Sequence, residues 1–83
     1  MQRFENIISN PAILGGKPIL KGTRISVEFI MELIESGASV NDIVENYPHL
    51  KKSAVQEAVS YTVAMMKNDV IYETVVAAWV WEN

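Results

Sequence analysis

The chain has 83 residues, a formal net charge of −3, no cysteine and one histidine, which bounds it to one small domain without disulfides or thiolate metal sites. A domain of this size hides only about 60% of the surface its unfolded chain exposes, so a homodimer is expected. No run of about 18 apolar residues and no leader-like start is present, which predicts a cytoplasmic protein with no membrane partner.

The charge is segregated. Residues 1–27 hold Arg3, Lys17, Lys21 and Arg24 against Glu5, whereas residues 28–50 hold Glu28, Glu32, Glu35, Asp42 and Glu45 with no lysine or arginine. Phosphate contacts need local positive charge, so a nucleic-acid surface on this chain has to be a patch.

In chain order, Ile7-Ile8 and Ile13-Leu14 are short apolar pairs around Asn10-Pro11, either strand or extended arm. The turn-rich Gly15-Gly16-Lys17-Pro18 separates Ile13-Leu14 from Ile19-Leu20 and predicts a hairpin between those pairs, with Pro18 at a strand's first position or edge. Lys21-Gly22-Thr23-Arg24 turns the chain again. Ser26 suits the N-cap of a first helix in which Val27, Ile30, Met31 and Ile34 recur at helical spacing, with Glu28, Glu32 and Glu35 on another face and Gly37 as the stop. Ser39 and Asp42 have capping-box spacing ahead of a short second helix from Val40 to Tyr47, whose stripe is Val40, Ile43, Val44 and Tyr47. Ser53 and Gln56 form a second capping-box pair, opening a longer third helix with Val55, Ala58, Val59, Thr62, Val63 and Met66 inward.

The fold class expected is therefore mainly α: a three-helix core of helix-turn-helix type, a short N-terminal β-hairpin and an apolar C-terminal segment. Residues 1–66 make the helix-turn-helix-like domain and residues 67–83 extend it. The turn from Pro48 to Lys52 is longer than the three or four residues usual between DNA-binding helices, and Leu50 is expected to tuck between them. On duplex DNA, the first turn of the third helix enters the major groove. Lys51 and Lys52 then neutralise phosphates beside Ser53, while Gln56 and Ser60 face base edges. Glu57 in the same stretch repels phosphate, and Gln56, Glu57, Ser60, Ala64 and Lys67 equally describe a plain solvated side. In a winged fold the hairpin would set Lys17, Lys21 and Arg24 beside the groove for backbone contacts; alternatively the glycines serve turns and Arg24 pairs with Glu28.

Catalytic chemistry lacks parts. Lys21-Gly22-Thr23 has the wrong order for a phosphate loop, a lone His49 supports neither a histidine metal site nor a triad, and Glu28, Glu32 and Glu35 read as a solvated or partner-facing edge. A non-enzyme without cofactor is expected. The tail Val70-Ile71-Tyr72-Glu73-Thr74-Val75-Val76-Ala77-Ala78-Trp79-Val80-Trp81 suits a strand by its β-branched and aromatic content or a helix by Asp69 and the spacing of Ile71, Val75 and Ala78. Its Trp79, Val80 and Trp81 need cover from a second copy, another protein or the chain's own helices.

The run from Gly15-Gly16-Lys17-Pro18-Ile19-Leu20 through Lys21-Gly22-Thr23-Arg24-Ile25-Ser26-Val27, with residues 39–61, resembles the family catalogued as domain of unknown function 433, over roughly residues 5 to 66. The resemblance implies a winged or homeodomain-like helix-turn-helix protein, often an antitoxin paired with a PIN-like toxin. It thereby implies a DNA-binding antitoxin or autoregulator contacting operator DNA and a toxin. The alternative is a protein-interaction or dimerisation module that keeps the helical scaffold and does not bind DNA.

Overall fold

The computed structural model describes residues 4–68. Ile7–Ile8 (β1) and Ile19–Leu20 (β2) pair antiparallel, Ile7 opposite Leu20 and Ile8 opposite Ile19. Three helices follow: α1 (Val27–Glu35), α2 (Val40–Asn46) and α3 (Lys52–Asn68). The mainly helical architecture with a small N-terminal hairpin is the one expected, but its strands are not. Ile13-Leu14 does not pair with β2. Leu14–Gly16 forms a 3₁₀ turn in which Leu14, Gly15 and Gly16 all have left-handed φ values of 49°, 65° and 86°, a run no strand accommodates. The turn residues thus extend back into the predicted strand, and β1 takes its place.

β2 is bonded on both edges. Beyond β1, Leu20 N–H donates to Ile25 O at 2.9 Å and Ile19 bridges to Ser26, so Lys21-Gly22-Thr23-Arg24 is a tight reversal closed on β2 itself. Thr23 locks it: its hydroxyl donates to Leu20 O at 2.7 Å and accepts from Ile25 N–H at 3.0 Å. Ser26 then caps α1, its Oγ accepting from Phe29 N–H. Ile19 and Leu20 are fully buried, and Leu20 joins Val27, Ile30, Ile43, Leu50, Ala54, Val55 and Ala58 in the core.

α1 stops where Gly37 adopts φ +108°. Gly37 N–H donates to Ile34 O and Ala38 N–H to Leu33 O, the paired bonds of a Schellman ending. α2 opens with the expected capping box, Ser39 Oγ accepting from Asp42 N–H and Asp42 Oδ2 from Ser39 N–H.

α3 departs from expectation at both ends. It begins at Lys52, one residue early, with Lys51 O accepting from the N–H groups of Ala54 and Val55, so Ser53 already sits inside the first turn and does not cap Gln56. Its inward residues are Ala54, Val55 and Ala58, with Tyr61 packed beside them, whereas Val63 and Met66 are exposed. Seventeen helical residues run about 25 Å, but the nine of α1 and seven of α2 span only about 13 and 10 Å, so the partners cover the first half of α3 and leave the second.

Gly37→Ala introduces a Cβ into open space, so its cost is conformational alone, about 1 to 2 kcal/mol. The expected fall in melting temperature is about 4 to 8 °C per kcal/mol, measured by circular dichroism. The hydrogen bond from Ser39 N–H, then that involving the Ser39 hydroxyl, hold the Asp42 carboxyl below the usual carboxylate range. A depressed folded pKa contributes stability above the unfolded value near about 3.9 and loses it as pH falls through the folded value. Asp42→Asn should therefore flatten the loss of melting temperature on acidification below roughly pH 4, seen as a shallower slope than wild type.

Candidate nucleic-acid interface

The five residues from Tyr47 to Lys51 join α2 to α3. Leu50 is buried and its N–H donates to Tyr47 O at 2.9 Å, so one apolar anchor pins the turn as expected and leaves His49 and Lys51 outward. This turn meets the Lys21-Gly22-Thr23-Arg24 reversal. Lys21, Thr23, His49 and Lys51 line one cleft of about 380 Å³, floored by Leu20, Leu50 and Ala54 and closed on the third side by Glu5 and Asn6. Lys21 and Lys51, thirty positions apart in sequence, thus belong to one surface because β2 and the Leu50 anchor pack on the same core.

All eight residues assigned to a DNA surface, Lys17, Lys21, Arg24, Lys51, Lys52, Ser53, Gln56 and Ser60, are exposed, in different settings. Lys52, Gln56 and Ser60 recur every four residues and share one outward stripe of α3, with Ser53 beside it. Lys17 is engaged elsewhere: its Nζ donates to Glu28 Oε1 at 2.9 Å, and that hydrogen bond, then the carboxylate's charge, holds its ammonium above the ordinary lysine value. Glu28 therefore pairs with Lys17 and not with Arg24, because the reversal turns Arg24 away before α1 starts.

The electrostatics at the start of α3 are unusual for a helix standing alone. The amino end carries the positive pole of the macrodipole, where acidic residues stabilise and lysines oppose. Here the first turn holds no acidic residue, Lys52 opens it and Lys51 precedes it. An anion seated there relieves both repulsions and meets the unbonded N–H groups of the turn.

Glu57, expected to repel phosphate, does not line the cleft, and its carboxylate is held by Asn6 of the cleft wall. Asn6 N–H donates to both of its carboxylate oxygens at 3.3 Å and Asn6 Nδ2 to Oε2 at 2.6 Å, tying α3 to the residue before β1. Asn6 O in turn accepts from Lys21 N–H at 2.7 Å, so the same residue holds the lysine-bearing reversal. Sequence reasoning missed Asn6, and no local pattern announces a partner 51 positions away. Trp79, Val80 and Trp81 lie outside the described residues. Among the described residues no group of three or more histidine, aspartate or glutamate side chains is placed to hold a metal ion, and no helix is long and apolar enough to cross a membrane.

Glu57→Ala should free the first strand from α3. Charge-assisted bonds of this kind contribute about 1.5 to 3 kcal/mol, so lower denaturation midpoints and faster amide exchange at Asn6 and Lys21 are expected.

The family model described as "Protein of unknown function (DUF433)" matches residues 7–62, two thirds of the chain, and the chain belongs to that family. A relative in Sinorhizobium fredii, named "Uncharacterized protein y4eO", is 35% identical over 60 residues. The match takes in 72% of this chain and 27% of the relative, so the chain spans about a quarter of that protein's length. No solved structure matches the chain.

Proposed function

We propose that this member of the family is a non-catalytic DNA-binding regulator, an antitoxin or autoregulator that acts as a homodimer on operator DNA and pairs with a PIN-like toxin. One observation carries the reading: Lys51 and Lys52 stand at the amino end of α3, whose first turn holds no acidic residue, Lys21 shares a cleft with Lys51, and the carboxylate of the nearby Glu57 is held by Asn6. In this reading the first turn of α3 enters the major groove, Lys51 and Lys52 hold flanking phosphates, and Lys21 with Arg24 reaches the adjacent backbone. Gln56 pairs with an adenine edge through two hydrogen bonds, worth about 1 to 3 kcal/mol of discrimination, and Ser60 tolerates several bases.

The second reading, a protein-interaction module without DNA binding, draws on the exposed Glu28, Glu32 and Glu35 of α1, which suit a basic partner surface. Its signature is a stoichiometric protein partner together with unchanged phenotypes on Gln56→Ala and Ser60→Ala.

Binding of the full chain to duplex DNA from upstream of its own reading frame tests the first reading. With roughly 6 to 10 phosphates engaged by a dimer, affinity should fall about 10³ to 10⁵-fold between 50 and 200 mM salt, and Lys51→Ala with Lys52→Ala should flatten that dependence. Absence of binding, alone or with the product of the adjacent reading frame, would discard it.

A further inference from the structure

The second half of α3 carries apolar side chains that α1 and α2 are too short to cover. Met65 and Met66 are 46% and 41% exposed, and together with Tyr61 they face Val27 and Met31 of α1 across a groove of about 390 Å³. The Lys17–Glu28 ion pair stands on its rim, the two charges answering each other. The groove is therefore apolar, partly lined by conformable thioethers, and without an uncompensated charge at that edge.

The chain continues from the groove's own end. Met66 is followed four residues later by residues 70–81, of which ten are apolar or aromatic and Glu73 alone is charged. We propose that this groove is the docking site of the chain's own residues 70–81, folded back along α3 in the same molecule. The distance permits it: Asn68 to Tyr61 is about 10 Å along the helix, while twelve residues reach about 18 Å as helix and about 40 Å extended. The tether also favours the same molecule over a second copy. A short linker holds the segment at an effective concentration of the order of millimolar, far above the micromolar level at which a separate chain competes. Lys21, Lys51, Lys52, Gln56 and Ser60 do not line the groove, so the segment completes the domain without using the amino-terminal surface of α3 proposed for DNA.

Both tryptophans of the chain, Trp79 and Trp81, lie in this segment, so intrinsic fluorescence reports on it directly. On the 83-residue chain at micromolar concentration, emission should be blue-shifted from that of free tryptophan and several-fold protected from iodide, independently of protein concentration. Met65→Lys, a change at an exposed position, should shift emission to the red and restore quenching, while Val63→Lys on the neighbouring face leaves both unchanged. Should Met65→Lys lose far-ultraviolet helicity, Met65→Ser supplies the same reading with a milder change. Water-like emission in the wild type, protection that appears only as concentration rises, or indifference to substitution at Met65 would each overturn the proposal, the second pointing to a partner copy in the groove.

Discussion

The fold hangs on a two-residue strand. Ile19 and Leu20 are fully buried and bonded along both edges, to β1 on one side and to residues 25 and 26 on the other. Buried backbone groups left without partners cost about 1 to 3 kcal/mol each, so a strand this deep forms only when both flanks are present. That condition ties the remote β1 to β2 on one side and, through the Lys21-Gly22-Thr23-Arg24 reversal, the residues leading into α1 on the other. The threonine of the reversal and the serine cap of α1 complete the accounting, each satisfying backbone groups that the turn would otherwise strand.

From this strap the division of labour along α3 follows. Its first half is clasped by short helices and by Asn6 through Glu57, which fixes the direction in which its lysine-bearing end projects. Its second half outruns those helices and keeps an apolar face with no cover from them. One helix thereby presents two unlike surfaces, a cationic end whose first turn holds no acidic residue and an apolar groove. A positive helix end flanked by two lysines is electrostatically unfavourable in isolation, and its persistence in a small domain makes sense where an anion shares it. The −3 net charge of the chain is spread unevenly: five of its ten acidic residues lie on α1 and α2 and none in the first turn of α3.

The family relation and the site stand at different levels. Membership rests on residues 7–62, which hold both strands, α1, α2 and most of α3. Much of that segment is accounted for by structure alone: Gly37 ends a helix, Thr23 closes a reversal, and Ser26 and Ser39 cap helices. What remains for function is the small set of exposed polar side chains that these devices position, which is why the lysines and Gln56, and not the glycines, carry the proposed role.

The sequence alone determined the three helices, their caps at Ser26, Ser39 and Gly37, the inward place of Leu50 and the clustering of cationic residues, because each depends on neighbours within four or five positions, where periodicity and capping chemistry act. It mistook Ile13-Leu14 for a strand, since two apolar pairs of equal quality compete for β2 and local pattern cannot choose between them. It carried the inward stripe of α3 on to Val63 and Met66, since helical spacing does not show where the partner helices end. Only the tertiary structure decided that β1 pairs with β2, that Glu57 turns to Asn6, that Lys17 takes Glu28, and that Lys21 and Lys51 share one cleft. Those are contacts between segments eleven to fifty-one residues apart, settled by which surfaces the common core brings together and not by any property of the residues on either side.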